Sequence, residues 1–199
     1  MAAQKKKIAK TKSKAKPARP AKAVKKSAPK PARKPVKAAA ATSGRAKSLL
    51  GKKAPDFTMP TDDGGMIALK NLRGKRVVLY FYPKDDTPGC TVEACAFRDG
   101  MPKLSKIQAV VVGVSKDSVA SHQKFKGKFK LNFPLASDAE SKVCEAYGVW
   151  TQKSMYGRTY MGIERSTFII DADGIVRAEW RKVSVAGHAD EVAKTLQIL

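Results

Sequence analysis

The first acidic residue of this chain is Asp56. Residues 1–47 hold 14 Lys and 3 Arg with no Asp or Glu, so +17 of the formal net charge of +23 falls there and +6 in the remainder. Lysines repel one another, five prolines interrupt any helix, and large apolar side chains are almost absent from this stretch. Such a segment cannot bury enough apolar surface to offset its chain entropy. Residues 1–47 are therefore expected to be a disordered Lys/Ala/Pro-rich basic tail, and 48–199 the folding domain, of ordinary size for one domain. The remaining +6 is unexceptional, so the basicity says little about the fold.

Three cysteines in 199 residues do not make a disulfide-stapled scaffold. They suit a reducing compartment, hence a cytoplasmic expectation, where a close pair is more often catalytic or metal-binding than structural. The longest apolar run, Val77–Tyr82, is far short of the ~20 residues of a membrane span. The basic N-terminus is followed by no apolar core, against a secretory signal. It is Lys/Ala/Pro-rich, where transit peptides are Arg- and Ser-rich.

From Ser48 onward the pattern alternates strand and helix. Short extended runs flank Asp63-Gly64-Gly65, which predicts a hairpin. "RVVLYFY" (Arg76–Tyr82) and "AVVVGVS" (Ala109–Ser115) are continuous β-branched and aromatic runs, the pattern of strands buried on both faces. Helices are expected over "CTVEACAFRDGMPKL", the amphipathic "SVASHQKFKGKFK", "ESKVCEAYGV" and the closing "HADEVAKTLQIL". "RSTFIIDADGIVRAEW" reads as strand, Asp-Gly turn, strand. These elements predict an α/β fold, a mixed central sheet flanked by helices.

Cys90 follows Thr87-Pro88-Gly89 at the corner between the first long strand and the next helix. Open α/β sheets place their active sites at such corners. Helix N-termini present unpaired N–H groups and a partial positive charge, which favour a thiolate nucleophile. The plain alternative is a cysteine buried in a helix. The placement favours reactivity. Cys95 lies five residues on; in one regular helix, five residues rotate by ~140° and rise ~7.5 Å, leaving Cα atoms roughly 8–9 Å apart. A disulfide needs them within about 7 Å. Either the two never bond, or the first turns of the helix open when they do. That spacing suits sequential chemistry, in which Cys90 reacts with a peroxide to a sulfenic acid and Cys95 then condenses with it. Thr87, three residues before Cys90, is positioned to bring its hydroxyl beside the sulfur. A lasting cation is also needed. Arg98 is too far along the helix, ~12 Å from Cys90, so a distant segment must supply it.

The stretch Pro83-Lys84-Asp85-Asp86-Thr87-Pro88-Gly89-Cys90 fits the peroxiredoxin pattern P-x-x-x-T-x-x-C. "TPGCTVEACAFRD", "YGVW" (Tyr147–Trp150) and "GIERSTFIIDADG" (Gly162–Gly174) together resemble the bacterioferritin comigratory protein / peroxiredoxin Q subfamily in order and spacing. The resemblance spans about residues 48–199. It implies a thioredoxin-like fold, peroxidatic Cys90, resolving Cys95, and Pro83, Thr87 and Arg165 around the peroxide. It further implies a Cys90–Cys95 disulfide reduced by thioredoxin or a similar dithiol, no cofactor, and a monomer or weak dimer. Arg165 is the cation that local spacing could not find. The basic tail is the one departure.

Other polar residues are expected to do less. Cys144 reads as a small core residue. Cys90, Cys95, Cys144, His122 and His188 lack the paired spacing of a zinc site. His122 is expected to be solvated in its lysine-rich helix, and His188 only to help start the last helix. Tyr147 and Trp150 read as core or pocket wall, and Asp171–Gly174 as a hairpin turn lacking the distal Glu of a calcium loop.

The tail has two readings: a solvating extension, or an arm that binds DNA phosphates without reading sequence. Lys5, Lys6, Lys7, Lys25, Lys26, Arg33 and Lys34 are its candidate phosphate contacts. It resembles the tails of linker histones and histone-like bacterial proteins. It has no aromatics for base stacking, and its prolines disfavour a membrane-bound amphipathic helix. Composition does not separate nucleoid, nuclear and plain cytoplasmic locations. A chiefly nucleic-acid-binding or chaperone-like protein is the competing function. It would need neither P-x-x-x-T-x-x-C nor Cys95 nor Arg165, and the presence of all of them favours a peroxidase.

Overall fold

A computed structural model describes residues 48–155 and 157–199. Among the described residues the first elements form a small hairpin, β1 (Thr58–Pro60) and β2 (Met66–Ala68), paired antiparallel with Pro60 opposite Met66. The Asp63 carboxylate ties its turn by accepting from Thr61 Oγ1 and from the Gly65 amide. β3 (Arg76–Phe81) then leads to the long helix α1 (Pro88–Lys106). Next come β4 (Ala109–Ser115), α2 (Val119–Phe129), β5 (Leu135–Ser137) and the short α3 (Lys142–Ala146). A second hairpin, β6 (Trp150–Met155) and β7 (Arg158–Ile163), precedes β8 (Ser166–Ile170), β9 (Val176–Arg181) and α4 (His188–Ile198).

The central sheet has the order β5-β4-β3-β8-β9. β3 runs parallel to β4 and antiparallel to β8, so the sheet is mixed, as its strand pattern predicts. Residues along a strand alternate between faces. Val77, Leu79 and Phe81 join one core with Phe168, Ile170 and Tyr147. Val78, Tyr80 and Tyr82 join the other, beneath Phe97 of α1, Phe125 of α2 and Val192 of α4. A strand covered on both sides needs apolar residues at every position, which is why its sequence is unbroken by charge.

Pro102 lies inside α1, although proline removes a helical hydrogen bond. The carbonyl it leaves free, that of Arg98, accepts from Asn132 Nδ2 at 3.3 Å. The Asp171–Gly174 segment is the expected hairpin turn. Asp171 Oδ1 accepts from the amides of Asp173 and Ile175, and Gly174 takes φ +80°, where a side chain is disfavoured. β5 and the β6–β7 hairpin are not anticipated by sequence patterning. β5 has only three residues, and β7 is exposed along most of its length.

Two histidines correct the sequence expectation. His122 is fully buried rather than solvated, because it shares the inner face of α2 with Phe125 while Lys124 and Lys128 point outward. His188 does begin α4, but it is also buried. Its Nε2 lies 2.8 Å from Thr167 Oγ1, and its ring meets Phe97 and Trp180 edge-on. Burial, with the nearby Arg165 charge, holds it below the ordinary histidine range against the pull of Glu191.

β4 passes the aromatic core at Gly113, where a Cβ would fall 2.7 Å from Tyr80 Oη and 2.8 Å from Leu135 Cδ2. Tyr80 cannot swing aside, since its ring packs on Phe97 at 4.8 Å and on Tyr82 at 5.5 Å. Gly113→Ala is expected to destabilise the domain by ~1–3 kcal/mol through overpacking, read as a lowered urea midpoint with an unchanged slope.

Candidate active site

β3 ends at Phe81, and the loop 82–87 turns the chain into α1. Thr87 has extended backbone angles and caps the helix, with Pro88 in its first turn. Proline suits that position, since the amide it lacks would have no intrahelical acceptor. The amides of Gly89 and Cys90 likewise have no acceptor within the helix. They lie at the positive end of its dipole. Cys90 therefore sits where backbone donors and positive potential converge, and it is almost wholly buried.

The cation comes from the residue just before β8, the strand that neighbours β3. Phe81 of β3 pairs with Ser166 of β8, so Arg165 lies just beyond the end of β3, beside the loop. The Arg165 carbonyl accepts from the Val183 amide at 3.0 Å. Its Nη2 donates to Cys90 Sγ at 3.1 Å, and its Nη1 donates to Glu93 Oε2. Burial opposes the Arg165 charge, but Glu93 and Cys90 outweigh it and raise its pKa. Glu93 is 1% exposed, and its Oε1 is buried without a hydrogen-bond partner. Burial pushes its carboxyl up to about 7, although Arg165 pulls the other way. A second cation, Lys153 of β6, donates from Nζ to the Ile163 carbonyl at 2.5 Å. Burial holds its pKa low, while the Cys90 and Glu164 charges raise it.

Cys90 and Arg165 thus meet. Cys95 is half-buried on the same helix, and all three cysteine sulfurs are unbonded. Pro83 is exposed at the start of the loop, and Thr87 is half-buried. The Thr87 hydroxyl donates to the Lys84 carbonyl at 3.2 Å, which ties the turn ahead of Cys90. Cys144 is fully buried, and burial, reinforced by Asp138, pushes its thiol far up. Lys5, Lys6, Lys7, Lys25, Lys26, Arg33 and Lys34 of the tail lie outside the described residues.

Sequence reasoning missed Glu93 and Lys153. Glu93 had a signal: it lies three residues after Cys90, hence on the same face of α1, next to the buried Ala94 and Phe97. Lys153 had none, since its approach depends on how the β6–β7 hairpin lies.

A buried thiol held by a guanidinium at a strand-to-helix corner, on this mixed sheet, defines a thiol-dependent peroxidase, and the chain belongs to the AhpC/TSA family, whose model matches residues 50–179. Its relatives narrow this to the Bcp/peroxiredoxin Q group. A putative peroxiredoxin bcp of Coxiella burnetii is 57% identical over 147 residues, covering 74% of this chain and 97% of that protein. Peroxiredoxin Bcp of Bacillus subtilis is 51% identical over 148 residues, covering 74% and 94%. Among solved structures, the bacterioferritin comigratory protein of Xanthomonas campestris superposes with a TM-score of 0.69 at 44% identity, covering 71% of this chain and 90% of that one. Peroxidoxin BcpB of Mycobacterium tuberculosis gives 0.68 at 36% identity, covering 75% and 97%.

The buried carboxyl makes stability pH-dependent. Glu93 ionises near pH 7 in the fold but at the ordinary 4.5 when unfolded. Between those values the folded state binds more protons, so its contribution to stability is full below about 4.5 and is lost as pH rises through about 7. Urea denaturation of the wild type and Glu93→Gln across this window is expected to show a steeper fall in the wild type. Parallel curves would remove Glu93 as the titrating group.

Proposed function

We propose that Cys90 is the peroxide-attacking sulfur and Cys95 its resolving partner. The contact between Arg165 Nη2 and Cys90 Sγ carries this reading. The guanidinium donates to the sulfur, and with the first-turn amides of α1 it provides donors for the oxygens of the breaking O–O bond. The Cys90 thiolate attacks one peroxide oxygen and the O–O bond breaks. Cys90 becomes a sulfenic acid, and the other oxygen leaves, with a proton, as water or an alcohol. The Cys95 thiol then attacks the Cys90 sulfur, the S–O bond breaks, water departs, and a disulfide forms. A thioredoxin-type dithiol returns two electrons and two protons, leaving both thiols free.

Both cysteines lie within Pro88–Lys106. In one helix their Cα atoms are roughly 8–9 Å apart, beyond the ~7 Å reach of a disulfide. The first turns of α1 therefore open after Cys90 is oxidised. Hydrogen peroxide and organic hydroperoxides are the proposed substrates. The Xanthomonas campestris relative has alkyl peroxide reduction activity. All residues invoked lie on one chain, so a monomer suffices, and a reducing cytoplasm suits the cycle. Cys90→Ser is expected to abolish peroxide consumption. Cys95→Ser is expected to consume about one equivalent and then stall or over-oxidise. Sustained thioredoxin-driven turnover by Cys95→Ser would remove the resolving role.

The charge of +17 in residues 1–47, with no acid, favours a second property of the same protein. The tail binds duplex DNA through phosphates, without sequence preference. Its log–log salt slope is expected at about −4 to −8, since only some of its charges would contact phosphates at once. Deletion of 1–47 is expected to abolish binding and leave turnover of small peroxides nearly unchanged. Equal binding by both forms in a salt-series titration, or none by either, would make the tail an inert extension.

A further inference from the structure

We propose that Asp85 is a positioning residue for Cys90, a strut that locks the cysteine-bearing turn to β4 and α2 and so sets the rate of peroxide attack. The proposal rests on the reading of Cys90 as the attacking sulfur.

Asp85 lies five residues before Cys90 in a loop that is otherwise largely exposed, yet it is only 6% exposed. Its carboxylate collects donors from two elements. Tyr82 Oη, from the end of β3, donates to Oδ1 at 2.7 Å, and Ser121 Oγ, from α2, donates to Oδ2 at 2.7 Å. His122 Nδ1 lies 2.9 Å from Oδ2 and 3.1 Å from Oδ1. A carboxylate only accepts, so Nδ1 is the nitrogen that carries the proton. The backbone is tied as well. The Asp85 amide donates to Asp117 Oδ2 at 2.7 Å, and the same oxygen accepts from Ser115 Oγ at 2.8 Å. The next residue, Asp86, holds a left-handed φ of 54° and pairs with Lys128 Nζ at 2.7 Å. Two successive aspartates thus fasten the loop to α2. Burial raises the Asp85 carboxyl, but the bonds from His122, Ser121 and Tyr82 outweigh it and keep it below the usual range.

A buried carboxylate satisfied on both oxygens does not leave its partners readily. Pro88 and Gly89, the first two residues of α1, are exposed and have no comparable anchor. When α1 opens for disulfide closure, the opening therefore starts beyond Asp85, and the strut persists in both arrangements. Its effect falls on the step that needs the Cys90 sulfur, the Arg165 guanidinium and the first-turn amides in register. A displacement of about 1 Å at such a site can cost about a hundredfold in rate. A cluster that served stability alone would not separate the two steps.

The test is stopped-flow tryptophan fluorescence of the full chain with hydrogen peroxide, with Cys90 oxidation checked by mass spectrometry of a sulfenic-acid trap. The phase whose rate scales with peroxide reports attack, and the concentration-independent phase reports disulfide closure. Asp85→Asn is expected to slow attack about ten- to hundredfold and to leave closure within about twofold, as a strut held in both states requires. His122→Ala is expected to slow attack similarly, and His122→Asn, which restores an N–H donor, to recover most of it. An equal fall in both phases, or attack as fast as the wild type, would overturn the role. Should Asp85→Asn not fold, the His122 pair decides. Slow His122→Ala with recovery in His122→Asn supports the strut, and equal rates overturn it. A wild type that forms no Cys90 sulfenic acid overturns the functional reading itself. A reactive wild type beside an equally reactive Asp85→Asn overturns the strut alone.

Discussion

The antiparallel pairing of β3 with β8 is the constraint on which the site depends. With Phe81 opposite Ser166, the residue before β8 lands beside the residue after β3. Arg165 thereby meets Cys90 across 75 positions of sequence. A one-residue slip would turn every β8 side chain to the opposite face. Such a slip is resisted by packing on both sides, since Phe168 and Ile170 fill one core and Ile169 the other. Core packing and the placement of the cation are the same fact seen at two scales.

Within that frame Arg165 is shared. One nitrogen reaches the thiol and the other the Glu93 carboxylate. The carboxylate orients the guanidinium, but it also offers a competing negative charge in a buried setting. Because burial moves Glu93 ionisation to about 7, that competition varies within the physiological range. The site therefore combines a cation that is always charged with an acid whose charge is conditional.

The helix whose first turn presents backbone donors at Cys90 is also what holds Cys95 away from it. Capping and dipole are properties of a formed first turn, whereas the proposed Cys90–Cys95 disulfide would require that turn to open. In the proposed cycle the two needs are met in sequence rather than together. The bonds that gather on Asp85, upstream of the turn, define where a movable segment would begin.

The buried strands, the Cys90 corner and the five-residue spacing to Cys95 were legible in the sequence, because each arises from short-range patterns: unbroken β-branched runs and a Thr-Pro-Gly helix entry. The same locality explains what was not legible. The chemistry called for a cation and spacing ruled out Arg98, but only family resemblance pointed to Arg165. His122 looked like a solvated residue among lysines, and the face of α2 that turns inward was decided by packing on Tyr82 and Asp85. Spacing set Thr87 one turn before Cys90, but the bond from its hydroxyl to the Lys84 carbonyl depends on how the turn closes. Glu93 shared a face with Cys90 by periodicity, but its shifted ionisation arises only from its burial in the folded chain, beside Arg165. A chain's periodicity sets which residues share a face. Which faces meet, and what a buried charge finds opposite it, is decided by strand register and packing between segments far apart in sequence.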